Sequence, residues 1–270
     1  MIINPSNPDA RVWLKSELLE LAKITRENPQ ITIISDEVYN RNIFDQVEYI
    51  PFASIEGMFD RTLSLYSFGK EFYCTGWRVG AGSGPEHIIK PIEDFISRST
   101  NGISMFSKLA VGHCLKLAEE PYKSFENYYE WVKSDFGARK DRIVKILRET
   151  KKFAFDVIEP MGGYTLIAGI KRSVKLIPIK YYYGIKGVPE DEKRDFIESF
   201  EDWKSLTNPA FTCDEAFQKF LCHEHGVGVV AGISFYHNYD KEIANFGGQT
   251  FVRFSICKND EDINALEKAF

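Results

Sequence analysis

The sequence has no unbroken apolar run approaching the ~18 residues that a membrane-spanning helix needs. It has no excess of positive charge. Its 34 Lys and Arg stand against 39 Asp and Glu, for a net charge of −5, which argues against nucleic acid or an anionic membrane as the main partner. It has no CxxC pair. Cys74, Cys114, Cys213, Cys222 and Cys257 are odd in number and scattered, so neither a disulfide framework nor a zinc site is expected. Such thiols fit a reducing intracellular compartment, with cytoplasm and mitochondrial matrix both open. The opening MIINPSNPDA lacks a basic stretch followed by apolar residues, so it does not read as a secretory signal. Internal repeats and low-complexity tracts are missing too. What is present is ordinary for a globular protein: 270 residues, 44% hydrophobic and 27% charged, enough chain for one large core or two smaller ones.

Ile2-Ile3 reads as a short strand that runs into two Asn-Pro turns. Val12, Leu14, Leu18, Leu21 and Ile24 fall at roughly helical spacing, predicting a helix over 11–27 that Asn28-Pro29 stops. The β-branched run Ile31 to Ser35 predicts a buried strand. Leu63 to Ser67 is a second strand and Val79 to Gly82 a candidate third, followed by helices over 86–97 and 103–119. Tyr122 to Thr150 keeps a charged helical pattern, long enough to bridge two lobes. After Gly162-Gly163, strands are expected over Tyr164 to Ile170 and Phe251 to Cys257, with helices over 213–225 and from Asp260. The alternation predicts an α/β fold with a mostly parallel sheet over 1–135, then a smaller α+β domain over 136–270 that includes the interdomain helix. Residues 171–208 form an aromatic and charged excursion of no evident role. His223 and His225 lie two apart on a helix, pointing different ways, so a surface helix end is a better reading than a metal site.

The stretch LYSFGKEFYCTGWRVG places Lys70 after Ser67-Phe68-Gly69 and Arg78 eight positions on. Asn7 follows the first apolar run, Asp36 and Tyr39 follow the second, and Lys70 follows the third. In parallel α/β sheets ligands gather beyond the carboxyl ends of the strands, so these four side chains are expected at one edge. An amine, a carboxylate, a phenol and an amide there suit pyridoxal 5'-phosphate, which needs a lysine for its Schiff base and an acid beside its pyridine nitrogen. Each residue also has a plainer reading: Asp36 as a solvated helix cap, Lys70 as a surface lysine, Asn7 as an ordinary turn, Tyr39 as packing.

Five stretches, NPSNP, ISDEVY, SIEGMFDRTLSLYSFGKEFYCTGWRVG, MGGY and FVRFSICKND, occur in an order that resembles the fold-type I, class I aminotransferases, nearest the kynurenine aminotransferase or cysteine-S-conjugate β-lyase branch. The resemblance implies the aspartate aminotransferase fold and pyridoxal phosphate-dependent transfer of an amino group. The exchange would run between an aromatic or sulfur-containing L-amino acid and a 2-oxo acid. It assigns Lys70 to the cofactor aldehyde and to the proton at substrate Cα, and Asp36 to the pyridine nitrogen. Tyr39 and Asn7 go to the phenolic oxygen, Ser67 and Arg78 to the phosphate, and Arg253 and Asn7 to the substrate, the arginine at its carboxylate. Gly69 is expected to keep the backbone clear of the cofactor. Asp9-Ala10 stands where the family usually has Thr-Gly.

The chain begins where the middle of the family's large domain is expected, so it is expected to match the C-terminal two-thirds only. Two roles then stay open. One is the C-terminal part of a working aminotransferase, with a further polypeptide supplying the rest of the large domain, in a dimer or larger assembly. The other is an aminotransferase-derived structural or accessory subunit of a larger complex, with little or no activity.

Overall fold

The computed structural model describes residues 1–44, 47–192, 194–203, 205–236 and 250–270. The chain forms two compact units, Met1–Gly137 with Met161–Tyr164, and Ala138–Pro160 with Thr165–Phe270. The return of 161–164 to the first unit differs from the sequence reading, which assigns that segment to the second.

In the first unit a sheet runs in the order β1 (Ile2–Ile3), β2 (Ile33–Asp36), β3 (Thr62–Ser67), β4 (Gly80–Ser83). The first three strands are parallel and β4 is antiparallel to β3. Helix Lys15–Glu27 makes the crossover from β1 to β2 and buries Leu18, Ala22 and Thr25, the one-face spacing of a helix packed on a sheet. Leu18 and Ala22 join Ile2, Ile33, Phe52 and Met58 in one apolar cluster. This helix starts four residues later than the spacing suggests. The amide of Trp13 donates to the Asn4 side chain at 3.1 Å, and the Arg11 carbonyl accepts from Ser6 N at 2.8 Å, so 11–13 is held as a loop. It ends at Glu27 because Pro29 disfavours a helical residue before it. Strand β2 is not covered on both faces: Ile33 and Ser35 are buried, while Ile34 is exposed.

Helices Glu86–Ser99 and Met105–Ala118 follow β4. No residue of the first is buried, and only Val111 and Ala118 of the second are. Phe95 and Phe106 are 71% and 86% exposed, and all four residues of β4 are exposed too. Helix Tyr128–Glu149 begins in this unit and ends in the other.

The second unit holds an antiparallel sheet ordered β5 (Asp156–Val157), β6 (Thr165–Gly169), β8 (Phe251–Ser255), β7 (Val230–Ala231). Helix Cys213–His225 is opened by a Thr212/Glu215 capping box and closed by Gly226 at φ 67°, the left-handed conformation glycine adopts without strain. Phe217, Phe254 and Phe270 pack around Phe155 with centroids 5.5–6.0 Å away. The excursion 171–208 is mostly exposed among its described residues but sends one buried cluster into the core. Tyr181, Tyr182 and Tyr183 are buried on a short helix, and the Tyr182 carbonyl accepts from Ala210 N at 2.8 Å. Glu224 accepts from Lys180 at 3.0 Å and Tyr181 at 2.6 Å, and His225 packs edge-on against Phe153 and Phe220.

Candidate functional site

The carboxyl ends of β1, β2 and β3 lie side by side, since Ile3 pairs with Asp36 and Asp36 with Leu65. Asp36 is half-buried at the tip of β2. Its carbonyl accepts from Asn4 N at 2.9 Å, and its Oδ1 accepts from Val38 N at 3.3 Å. Ser67 closes β3, and the single turn Phe68–Glu71 carries Lys70. The chain then doubles back so that Ser67 pairs with Gly80 on β4. That reversal puts Ser67, Lys70, Thr75 and Arg78 around one open depression of ≈ 270 Å³. Arg78 sits at φ 56°, a conformation that costs a non-glycine residue about 1 kcal/mol, and its Nη1 donates to the Thr75 carbonyl at 3.1 Å. Lys70 Nζ lies 5.9 Å from the centroid of the Tyr39 ring. At Gly69 the space is tight within the protein itself: a Cβ there would come within 3.1 Å of the Thr75 Cα.

Asn7 is exposed on the loop after β1. Asn4, which sequence reasoning passed over, is the buried asparagine of that loop. Ala10 takes φ 58° where the family's usual glycine would be free of strain. Arg253 belongs to the second unit. On β8 it is paired with Ile167 and Val230, between the buried Val252 and Phe254. Its guanidinium lies 4.7 Å over the Phe235 ring, a cation–π contact that holds the fork in one orientation. The turn Gly232–Phe235 that supplies this ring is fixed by Asp214, whose Oδ2 accepts from Ile233 N at 2.6 Å.

Two carboxylates stand out that the motifs did not reveal. Glu37 is 1% exposed and accepts from Ser35 at 3.0 Å, Ser64 at 3.1 Å and Tyr49 at 2.9 Å. Three hydroxyl donors on one acid is the pattern of an acceptor-only carboxylate, and here it ties β2, β3 and the 47–51 segment together directly beside Asp36. Burial pushes the Tyr49 phenol far up, with the Glu37 charge adding to it; Tyr66 is raised by the same two causes. The other is Asp214, which is fully buried. Burial pushes its carboxyl up to about 6, against the hydrogen bonds from Thr212 and Ile233 that pull it down. The sequence signal for Glu37 is the alternation Ile33, Ser35, Glu37 on one strand face, with Ser64 opposite Ser35; it becomes visible only once the register is known.

A primary amine, a guanidinium and a hydroxyl around one depression can hold an anionic group and form a covalent bond to a carbonyl carbon. The carboxylate of Asp36 on the adjoining strand end can hold a proton on a nearby basic nitrogen. This donor set fits a phosphorylated aromatic aldehyde with a ring nitrogen.

The sequence model of the class I and II aminotransferases matches residues 1–270. The bifunctional aspartate aminotransferase and glutamate/aspartate-prephenate aminotransferase of Petunia hybrida is 34% identical over 186 residues, covering 69% of this chain and 36% of that protein. The kynurenine–oxoglutarate transaminase of Dictyostelium discoideum is 29% identical over 259 residues, covering 95% of this chain and 52% of that protein. Among solved structures, N-succinyldiaminopimelate aminotransferase from Mycobacterium tuberculosis superposes with a TM-score of 0.72 at 22% identity, covering 99% of this chain and 56% of that one. At that identity the likeness speaks for the fold alone. The chain spans about half the length, or less, of these relatives.

Proposed function

The chain belongs to the class I and II aminotransferase family, and from that premise we propose that it forms part of an enzyme that moves an amino group between an L-amino acid and a 2-oxo acid with pyridoxal phosphate. Members of this family use that cofactor. When bound, it supplies an electron sink for the bonds at the substrate Cα.

The observation that carries the reading is the depression lined by Ser67, Lys70 and Arg78, with Asp36 at the adjoining strand end. In this proposal Ser67 and Arg78 hold the phosphate, the guanidinium through charge-assisted hydrogen bonds. Lys70 Nζ would hold the aldehyde carbon until the substrate amine displaces it, and the freed amine would then carry the proton from the substrate Cα to that former aldehyde carbon. Asp36 keeps a proton on the ring nitrogen. Tyr39 and Asn7 hydrogen-bond the phenolic oxygen, and Arg253 grips the substrate carboxylate with two parallel N–H donors. The Dictyostelium relative is named for transfer between kynurenine and oxoglutarate, which supports an aromatic donor, with sulfur-containing amino acids as the companion class. The test is amino transfer to 2-oxoglutarate from a panel of L-amino acids, by the full-length protein and its Lys70→Ala variant. Turnover of aromatic or sulfur-containing donors that disappears in the variant supports the proposal. Turnover that survives Lys70→Ala contradicts it.

A second reading, a structural or accessory subunit, draws on a different surface. On the two helices after β4, Phe95, Met105, Phe106 and Leu109 leave apolar faces open to solvent, and β4 itself is an exposed strand at the edge of its sheet. Such faces mark interaction sites, and an open strand edge pairs readily with another strand. We propose that a further polypeptide segment adds a strand to β4 and covers the two helices, in a dimer or larger assembly. This covering is compatible with both readings. Phe106→Glu should leave the stability of the chain within about 0.5 kcal/mol and lower its assembly size in light scattering; an unchanged assembly size argues against this face.

A further inference from the structure

We infer that Tyr164 is a positioning residue for Lys70, acting through the hydrogen bond from its phenol to the Lys70 carbonyl. The inference rests on the reading that Lys70 holds the cofactor.

Lys70 sits on a turn of only four residues, Phe68–Glu71. A helix that short has almost no stability of its own, and its last carbonyls have no amide ahead to satisfy them. Something outside the turn must fix it. Tyr164 Oη donates to the Lys70 carbonyl at 2.7 Å from 94 residues further along the chain. The donor comes from the segment 161–164 that returns to the first unit, and that segment is firmly held. Met161 N and Gly162 N donate to the Ala10 carbonyl at 2.9 and 3.1 Å, Phe44 N donates to the Met161 carbonyl at 2.9 Å, and Gly163 N donates to the Asn42 carbonyl at 2.8 Å. Asn42 Nδ2 answers on the Gly163 carbonyl at 2.5 Å.

The two glycines are what allow this close seating. A Cβ at Gly162 would come within 2.8 Å of both the Asn42 carbonyl oxygen and Pro5 Cγ, and Gly163 has φ +77°. The Tyr164 ring is then gripped on three sides, with centroids 5.2 Å from Tyr39, 5.6 Å from Tyr73 and 5.3 Å from Phe136. Tyr39 is the same ring that faces Lys70 Nζ. One side chain thus fixes the backbone of the amine-bearing residue and packs against the phenol beside that amine. The motif MGGY accordingly gains a physical reason: glycines to let the segment in, and a hydroxyl to hold the turn.

The role is tested by comparing two ligands on the full-length protein. Pyridoxal phosphate bonds covalently to the lysine; pyridoxamine phosphate has no aldehyde and cannot. Tyr164→Phe keeps the ring and removes only the hydroxyl. It should weaken pyridoxal phosphate by about five- to tenfold, the loss of one neutral hydrogen bond, and leave pyridoxamine phosphate within about twofold. Phe136→Leu, which loosens the ring cluster and keeps the hydroxyl, should lower the melting temperature without changing the ratio of the two constants. Equal weakening of both ligands by Tyr164→Phe, or weakening of neither, overturns the positioning role alone. If the unsubstituted protein binds neither ligand, the cofactor reading falls and this role falls with it.

Discussion

Replacing Asp214 by Asn should stabilise the protein at neutral pH and flatten part of its pH dependence. The carboxyl is fully buried, and burial raises it from its ordinary 3.8 to about 6. An unfolded chain releases this proton near the ordinary value, whereas the folded chain keeps it until the higher one. Between the two values the folded state binds more protons, so stability falls as the pH rises across that window and levels off above it. Each unit is 1.36 kcal/mol, and about two units give about 3 kcal/mol. Asparagine keeps an acceptor for the Ile233 amide, now at 2.6 Å from the carboxylate, and it turns a donor towards the Thr212 hydroxyl, which lies at 2.5 Å. The variant therefore keeps the shape of the protonated acid and drops the buried charge. Urea unfolding at half-unit steps from pH 4 to 7.5 should show wild type and variant nearly equal at the acid end. By pH 7 the variant should lead by about 2–3 kcal/mol. Parallel curves would refute the assignment of the drop to Asp214, and a variant less stable at pH 7 would show that the Ile233 and Thr212 bonds outweigh the burial of charge.

Glu37→Gln should cost about 2–3 kcal/mol, because an amide NH2 then faces hydroxyls that now donate to a carboxylate. Urea midpoints measure it, and a loss below about 0.5 kcal/mol would mean that the three hydroxyl bonds carry no net weight. Arg253→Lys keeps the charge and removes the planar fork and its stacking on Phe235. It should raise KM for the amino acid by about tenfold, roughly one lost charge-assisted hydrogen bond, with a smaller change in kcat; an unchanged KM would take Arg253 out of substrate binding.

How much could be read from the sequence depended on whether the cause was local. Helix Cys213–His225 carries its own start and stop, Thr212 with Glu215 and then Gly226, so its limits were legible residue by residue. The same holds for the last helix, which starts at Asp260 with Asn259 accepting from the Asp262 amide at 2.7 Å. The depression around Lys70 was legible because Ser67, Lys70 and Arg78 lie within twelve residues of chain. Features that depend on distant partners were not. The roles of Glu37 and Ser64 emerge from strand register, and that of Tyr164 from the return of 161–164 to the first unit. Lys140 looks like any charged helix residue, yet its ammonium is buried and pairs with Asp141 at 3.1 Å and Glu159 at 3.5 Å. Spacing alone starts helix Lys15–Glu27 too early for the same reason, since it shows nothing of the bonds that hold 11–13 to the loop after β1.

The most direct measurement of the central claim is chemical. Full-length protein, incubated with pyridoxal phosphate and treated with borohydride, should carry one phosphopyridoxyl group, located by peptide mapping on the peptide that contains Lys70, and none in the Lys70→Ala variant. A group fixed on another lysine, or none at all, would contradict the account.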